Sequence, residues 1–307
     1  DTGDADVYVQ VADAASGAPA TTAVLHDFSA DDKAFAVSPA SDGNYWVVGQ
    51  TLSATGDYQV FLHKIASDGL AVWDAPVLYG RAEYDDYGYA VLEAQNGDIV
   101  IAGKSESPHT SGATDYNSDV MVVRADSAGQ LLEAAYFDGM EDQDGYAGEA
   151  FAYDVKELAG GGFVLSGKTW PPGTPSWSDA YLLKVIPDAT TDVLTVGWKN
   201  SFGYFVEDAA WAVEETNDGG IVLAGSMQLM NTADYENVVM AYLLKTDNLG
   251  QKLWDGIYGR QESNTTNIFF DIEEMGTSQL NMVGRSWDGT VNDVLFVQTE
   301  ADGTMSP

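Results

Sequence analysis

The chain has 307 residues, of which 45% are hydrophobic and 11% aromatic, and its 48 acids against 13 bases leave a net charge of −35. That is enough apolar material for a sizeable core, while the charge repels nucleic-acid phosphates and anionic lipid and favours hydration and hard cations. Without cysteine, disulfides, thiolate metal sites and a cysteine nucleophile are excluded. No apolar run approaches the roughly 20 residues of a membrane span, and no signal peptide is visible at Asp1, so the expectation is a mature secreted or cell-surface chain whose leader has been removed.

In chain order, residues 1–30 supply two strands, VYVQV to Val11 and TTAVLHDF from Thr21. Residues 31–261 then hold four full repeats, and 262–307 a partial fifth. The first arm of each repeat reads AFAV to Val37, YAV to Val91, YDV to Val155, WAV to Val213 and FDI to Ile272, with small residues at Ala36, Ala90 and Ala212. A turn rich in Asp, Asn and Gly follows, and then an apolar second strand ending in glycine at Gly49, Gly103, Gly167, Gly225 and Gly284. Asn-Gly, Asp-Gly and Gly-Gly supply the positive φ that tight hairpins need, so each pair of arms reads as a hairpin. A third strand ends in Lys64, Arg124, Lys184, Lys245 or Gln298, with an acid two residues on at Asp126, Asp247 and Glu300. A fourth carries Trp73, Trp198 or Trp254 and tends to end in an aromatic residue and glycine, as at Tyr79-Gly80, Phe202-Gly203 and Tyr258-Gly259. Short strands at this spacing, with no helical period, predict an all-β protein of four-stranded antiparallel units.

The run DGGIVLAG from Asp218, then AYLLKTDNLG from Ala241, Leu253-Trp254 and Tyr258-Gly259, resembles the repeats of secreted bacterial and archaeal β-propeller proteins with kelch-like blades. The resemblance spans nearly the whole chain and implies a single propeller over 1–307. Five blades are expected, or six or more if the chain is part of a larger ring. In that reading Thr21–Phe28 completes or extends the closing blade, and a spare N-terminal strand is free to pair with another molecule.

Candidate sites follow from this frame. Asp115, Asn117 and Asp119 have the alternating oxygens that open calcium loops, although Val120 stands where glycine is expected. No cofactor is required; calcium is the ion these carboxylates would take. Trp170 and Trp177 flank three prolines in TWPPGTPSW and would offer a stacking surface to a carbohydrate or protein partner. Asp32, Asp86 and Asp208 stand at a fixed offset before the first strands, as a carboxylate ring at a channel mouth or as turn caps. The recurring Lys64, Arg124, Lys184 and Lys245 predict pairing with acids between blades, and Asp119, Asp179 and Asp293 recur as structural acids. His26, His63 and His109 share no motif, and there is neither a nucleophile elbow nor a phosphate loop. The expectation is therefore a non-enzymatic extracellular propeller for recognition, adhesion or surface assembly. A carbohydrate-active enzyme using paired carboxylates and a subunit that polymerises by strand addition are the alternatives.

Overall fold

The computed structural model describes residues 5–28, 31–106, 118–141, 147–171, 177–203, 206–230, 237–260, 262, 265–276 and 278–305. It contains two compact units, Asp1–Tyr136 and Phe137–Pro307. In the first, β1 (Val7–Val9) and β2 (Val24–His26) form a small antiparallel pair. Two four-stranded sheets follow in sequential order, β3 (Asp32–Pro39), β4 (Tyr45–Leu52), β5 (Tyr58–Ile65) and β6 (Val77–Tyr79), then β7 (Asp86–Glu93), β8 (Ile99–Ser105), β9 (Asp119–Ala125) and β10 (Leu131–Phe137). The second unit holds β11 (Glu149–Glu157), β12 (Phe163–Trp170), β13 (Asp179–Pro187) and β14 (Leu194–Phe202) as one sheet. Its remaining strands are β15 (Asp208–Glu215), β16 (Ile221–Met230), β17 (Asn237–Thr246), β18 (Lys252–Tyr258), β19 (Thr266–Met275), β20 (Gln279–Trp287) and β21 (Asn292–Thr299). One parallel pair, Val239 with Thr266, joins β17 to β19 and merges these seven strands into one sheet. Among the described residues no helix is long and apolar enough to cross a membrane.

The five-bladed propeller expected from the repeat does not form, and the resemblance to propeller-repeat proteins does not carry over to the architecture. Closure needed Thr21–Phe28 to complete the last sheet. Instead β2 pairs with β1, β21 pairs only with β20, and among the described residues no sheet closes on itself. The cause is local. Asp13 Oδ1 accepts the N–H groups of Ala15 and Ser16 and the Ser16 hydroxyl, Gly17 takes a φ of 66°, and Ala12 bridges to Pro19. This Asp-Gly turn folds β2 back on β1 across a short loop, which costs less chain entropy than joining residues near opposite ends of the sequence.

Within each repeat the strands are shaped by one device. The first strand carries a β-bulge, with the register slipping between Ala34 and Ala36, Gly88 and Ala90, Ala152 and Asp154, Ala210 and Ala212, and Phe269 and Asp271. Opposite each bulge stands Gly49, Gly103, Gly167, Gly225 or Gly284. A Cβ at any of these five would collide with a backbone carbonyl of the first strand, that of Lys33, Tyr87, Phe151, Ala209 or Ile268. Glycine is required there for close approach rather than for its φ.

Sheets stack through apolar faces. Trp46, Val60 and Leu62 of one sheet meet Ile99, Ile101 and Met121 of the next, and Val222 and Leu243 meet Phe269, Leu280 and Met282. At three junctions a glutamate at or near the end of the following first strand staples the turn between the first two strands of the repeat before it. Glu93 accepts from the Ser41 amide and the Trp46 indole, Glu215 from the Ala159 amide, and Glu274 from the Asn217 amide. The aromatic fourth strands reach the next module's turn, with Tyr79 donating to the Gly129 carbonyl, Trp198 to that of Asn248 and Tyr258 to that of Gly303.

Three members of the basic column pair within their own sheet. Lys64, Arg124 and Lys245 pair with Asp42, Asp98 and Asp218 at 2.7, 2.8 and 2.6 Å, acids of the turn joining the first two strands of the same sheet. Asp126 and Asp247 cap the turns that follow the third strands.

Alanine at Gly225 should therefore cost about 2–3 kcal/mol in urea unfolding, because the Ala209 carbonyl cannot withdraw without breaking the bulge. Alanine at Gly160, which has open space around it, should stay within about 0.5 kcal/mol of wild type.

Candidate functional site

The hairpin and the first sheet together build an acidic cluster. Val7 lies opposite His26, so the next residues outward, Asp6 and Asp27, leave the hairpin side by side. The start of β3 is tied to the same place, since the Asp32 amide donates to the Ala5 carbonyl at 2.7 Å and the Ala5 amide to Asp31 Oδ1 at 3.1 Å. One carboxylate oxygen each from Asp6, Asp27 and Asp32 lie within 4.8 Å of one another.

The three environments differ. Asp32 is buried, Asp6 half-buried and Asp27 exposed. Asp32 Oδ2 accepts the Phe28 amide at 2.8 Å, while its Oδ1 is buried without a hydrogen bond of ordinary geometry. Burial pushes the Asp32 carboxyl above its usual range, and the charges of Asp27 and Asp6 push the same way against the Thr51 hydroxyl and the Phe28 amide. Three carboxylates this close either hold a proton among them or take a hard cation such as calcium.

Beside the cluster a groove of about 510 Å³ opens between β1 and β3, its lining starting at Val7, next to Asp6, and including Tyr8, Phe35, Val37 and Tyr45. Tyr8 and Val37 are largely exposed, so the groove presents aromatic and apolar surface to solvent. Its floor is a core of Val7, Val47, Phe61 and Ile65. Within this packing His63 is buried, edge-on to His26 at 5.4 Å and to Phe28 at 5.2 Å, with neither ring nitrogen hydrogen-bonded. Burial, with a smaller contribution from His26, lowers its pKa to about 4.

The residues singled out from sequence fall elsewhere. Asp115 and Asn117 lie outside the described residues; Asp119 opens β9 and is buried. Trp170 ends β12, its ring 5.0 Å from Phe151 and under the Lys168 ammonium, and Trp177 stands exposed before β13. The recurring Asp32, Asp86 and Asp208 are not a ring of open carboxylates. Each begins a first strand, is buried, and accepts a backbone amide, from Phe28, Arg81 and Gln228 respectively. Asp86 is pushed up to about 6 by burial. Gly80, Gly203 and Gly259 lie against Asp86, Asp208 and Asn267, which explains the aromatic-glycine ending of the fourth strands. Asp32 therefore shares a structural job with its counterparts, and what sets it apart is the company of Asp6 and Asp27. Sequence reasoning noted Asp32 but not its neighbours, which only the hairpin register brings to it. The expectation of a non-catalytic chain rested on finding no selected carboxylate pair, and this cluster overturns it.

No protein-family profile matches the sequence, and no characterised protein is significantly similar to it in sequence. In fold the chain is similar to a protein of unknown function from Bacteroides caccae (TM-score 0.54, 10% identity, 97% of this chain and 88% of that one). It is also similar to one of unknown function from Dyadobacter fermentans (0.56, 11%, 96% and 82%). A mannose phosphorylase from Leishmania mexicana aligns with a TM-score of only 0.41 at 11% identity, over 90% of this chain and 87% of that one. The first two likenesses speak to fold alone, and the third carries no argument.

The His63 environment makes a pH prediction. The folded pKa near 4 lies below the ordinary value of 6.5, so the unfolded chain takes up a proton first as pH falls. Relative to His63→Phe, wild type should lose up to about 3 kcal/mol of stability between pH 6.5 and 4, and nothing above that window. Urea unfolding of both proteins across this range checks it; parallel curves would show that His63 is not buried neutral.

Proposed function

We propose that the chain is a carbohydrate-active enzyme working through the carboxylates of Asp6, Asp27 and Asp32. The reading is carried by one observation: three carboxyl groups meet in one place, and the buried one holds its proton more tightly than an ordinary aspartate. Two neighbouring carboxyl groups in unlike environments divide acid and base roles between them. Asp32 supplies the proton that the leaving glycosidic oxygen receives as the bond to the anomeric carbon breaks. Asp27, exposed, presents the carboxylate that bonds to that carbon, and water then releases the sugar. With oxygens of the three groups within 4.8 Å of one another, the cluster is too tight for the intervening water that the inverting route places across about 6.5–9.5 Å, which leaves the double displacement. The aromatic groove beside the cluster supports the substrate class, because Tyr8, Phe35 and Tyr45 can cover the apolar faces of sugar rings. An extracellular setting fits the acidic, cysteine-free composition.

A panel of aryl glycosides is the test. Hydrolysis of at least one, with retained anomeric configuration by NMR, is expected, and Asp32→Asn should lower kcat about 10²–10⁴-fold. Turnover that is absent from the whole panel, or untouched by Asp32→Asn and Asp27→Asn, refutes the assignment.

A further inference from the structure

The second unit carries a separate feature that core packing does not account for. Five aromatic rings, Trp170, Phe151, Tyr153, Trp211 and Phe270, follow one another with centroids 5.0, 6.4, 4.4 and 6.1 Å apart. They come from β12, β11, β15 and β19, so the run crosses from one repeat to the next. Tyr153, Trp211 and Phe270 are the bulged residues of their strands, each skipped by the ladder of the strand opposite. Their neighbours Ala152, Ala210, Ala212 and Phe269 are buried, whereas the first four rings of the run are partly buried and Phe270 is 46% exposed. The bulge thus turns one aromatic side chain in each of these repeats away from the ladder, stacking Tyr153 on Trp211 and setting Trp211 edge-on to Phe270.

Polar groups border the rings. The Lys168 ammonium lies 4.3 Å from the Trp170 ring and 5.8 Å from that of Phe151. The Trp211 indole donates to Ser226 Oγ at 3.4 Å, and burial, with a smaller contribution from the charge of Glu207, raises the pKa of the Tyr153 phenol. Open aromatic surface edged by a few polar side chains suits a ligand with apolar faces and hydrogen-bonding edges. Sugar rings have both. Nucleobases would stack as well, but a chain of net charge −35 repels their phosphates, and it repels acidic glycans for the same reason.

We propose that this aromatic run of the second unit is a binding strip for a neutral oligosaccharide. The proposal takes its substrate class from the reading of the chain as carbohydrate-active.

Affinity electrophoresis in gels containing hydroxyethylcellulose, mannan, xylan or polygalacturonate tests it, with Asp32→Asn as the parent protein so that binding is read without turnover. Retardation by at least one of the three neutral polymers is expected, with at least tenfold weaker binding in Trp211→Ala and in Phe270→Ala. Phe270 is the more exposed ring, so its variant keeps the test informative if Trp211→Ala does not fold. In the catalytically intact protein, both substitutions should leave hydrolysis of a small aryl glycoside unchanged. Binding lost in these variants while the glycoside panel stays inert would uphold the strip and refute the catalytic reading. No retardation by any neutral polymer, undiminished binding in the variants, or retardation by polygalacturonate alone would overturn the strip.

Discussion

The close contact between a bulged first strand and a glycine on the second governs this molecule. A regular antiparallel pair would leave room for a side chain at Gly49, Gly103, Gly167, Gly225 and Gly284, but the extra residue drives a carbonyl into that space. The bulge sharpens the local bend of each sheet and frees one residue from the ladder. That residue is aromatic in all five repeats: Phe35, Tyr89, Tyr153, Trp211 and Phe270. Phe35 lies 5.1 Å from Tyr89 in the first unit, and in the second Tyr153 stacks on Trp211, which meets Phe270 edge-on. A backbone irregularity repeated for structural reasons thereby produces an ordered aromatic surface.

The remaining repeat positions settle into a network that spends most of its polar groups on structure. Glutamates staple turns across neighbouring sheets, turn aspartates neutralise the basic column, and buried aspartates close the loops that enter each first strand. The acidic cluster gains its meaning against this background. Asp32 belongs to a recurrent structural column, yet among the described residues only here does a hairpin deliver two more carboxylates to the same spot. Burial raises the pKa of Asp86 and Asp32 alike, but only beside Asp32 do the described residues place a second, open carboxylate.

Much of the local structure was legible in the sequence. The Asp-Gly, Asn-Gly and Gly-Gly turns and the four strands of the full repeats follow from residue types with few conformational alternatives. The column of glycines was visible, but it lies inside the second strands, where close approach requires it, rather than at their ends. Ring closure was not legible, because it depended on how residues near the two ends pair, and a local turn at Asp13–Gly17 captured the N-terminal strands first. The cluster of Asp6, Asp27 and Asp32 left no motif, since its members meet through strand register rather than spacing. The aromatic run did leave a signal. An aromatic residue stands two places before the Val or Ile of every first arm, as in Phe35–Val37 and Trp211–Val213, but periodicity read as a plain strand hides that it is bulged. The small residues beside it, Ala36, Ala90 and Ala212, flank the bulge.

The bulge itself can be observed directly. In a deuterated, amide-protonated sample, cross-strand nuclear Overhauser effects between β15 and β16 should connect Ala210 with Gly225 and Ala212 with Ala224, leaving Trp211 without a partner. A regular ladder that pairs Trp211 with Ala224 would contradict the account, since it would turn the tryptophan into the sheet and remove the reason for the glycine.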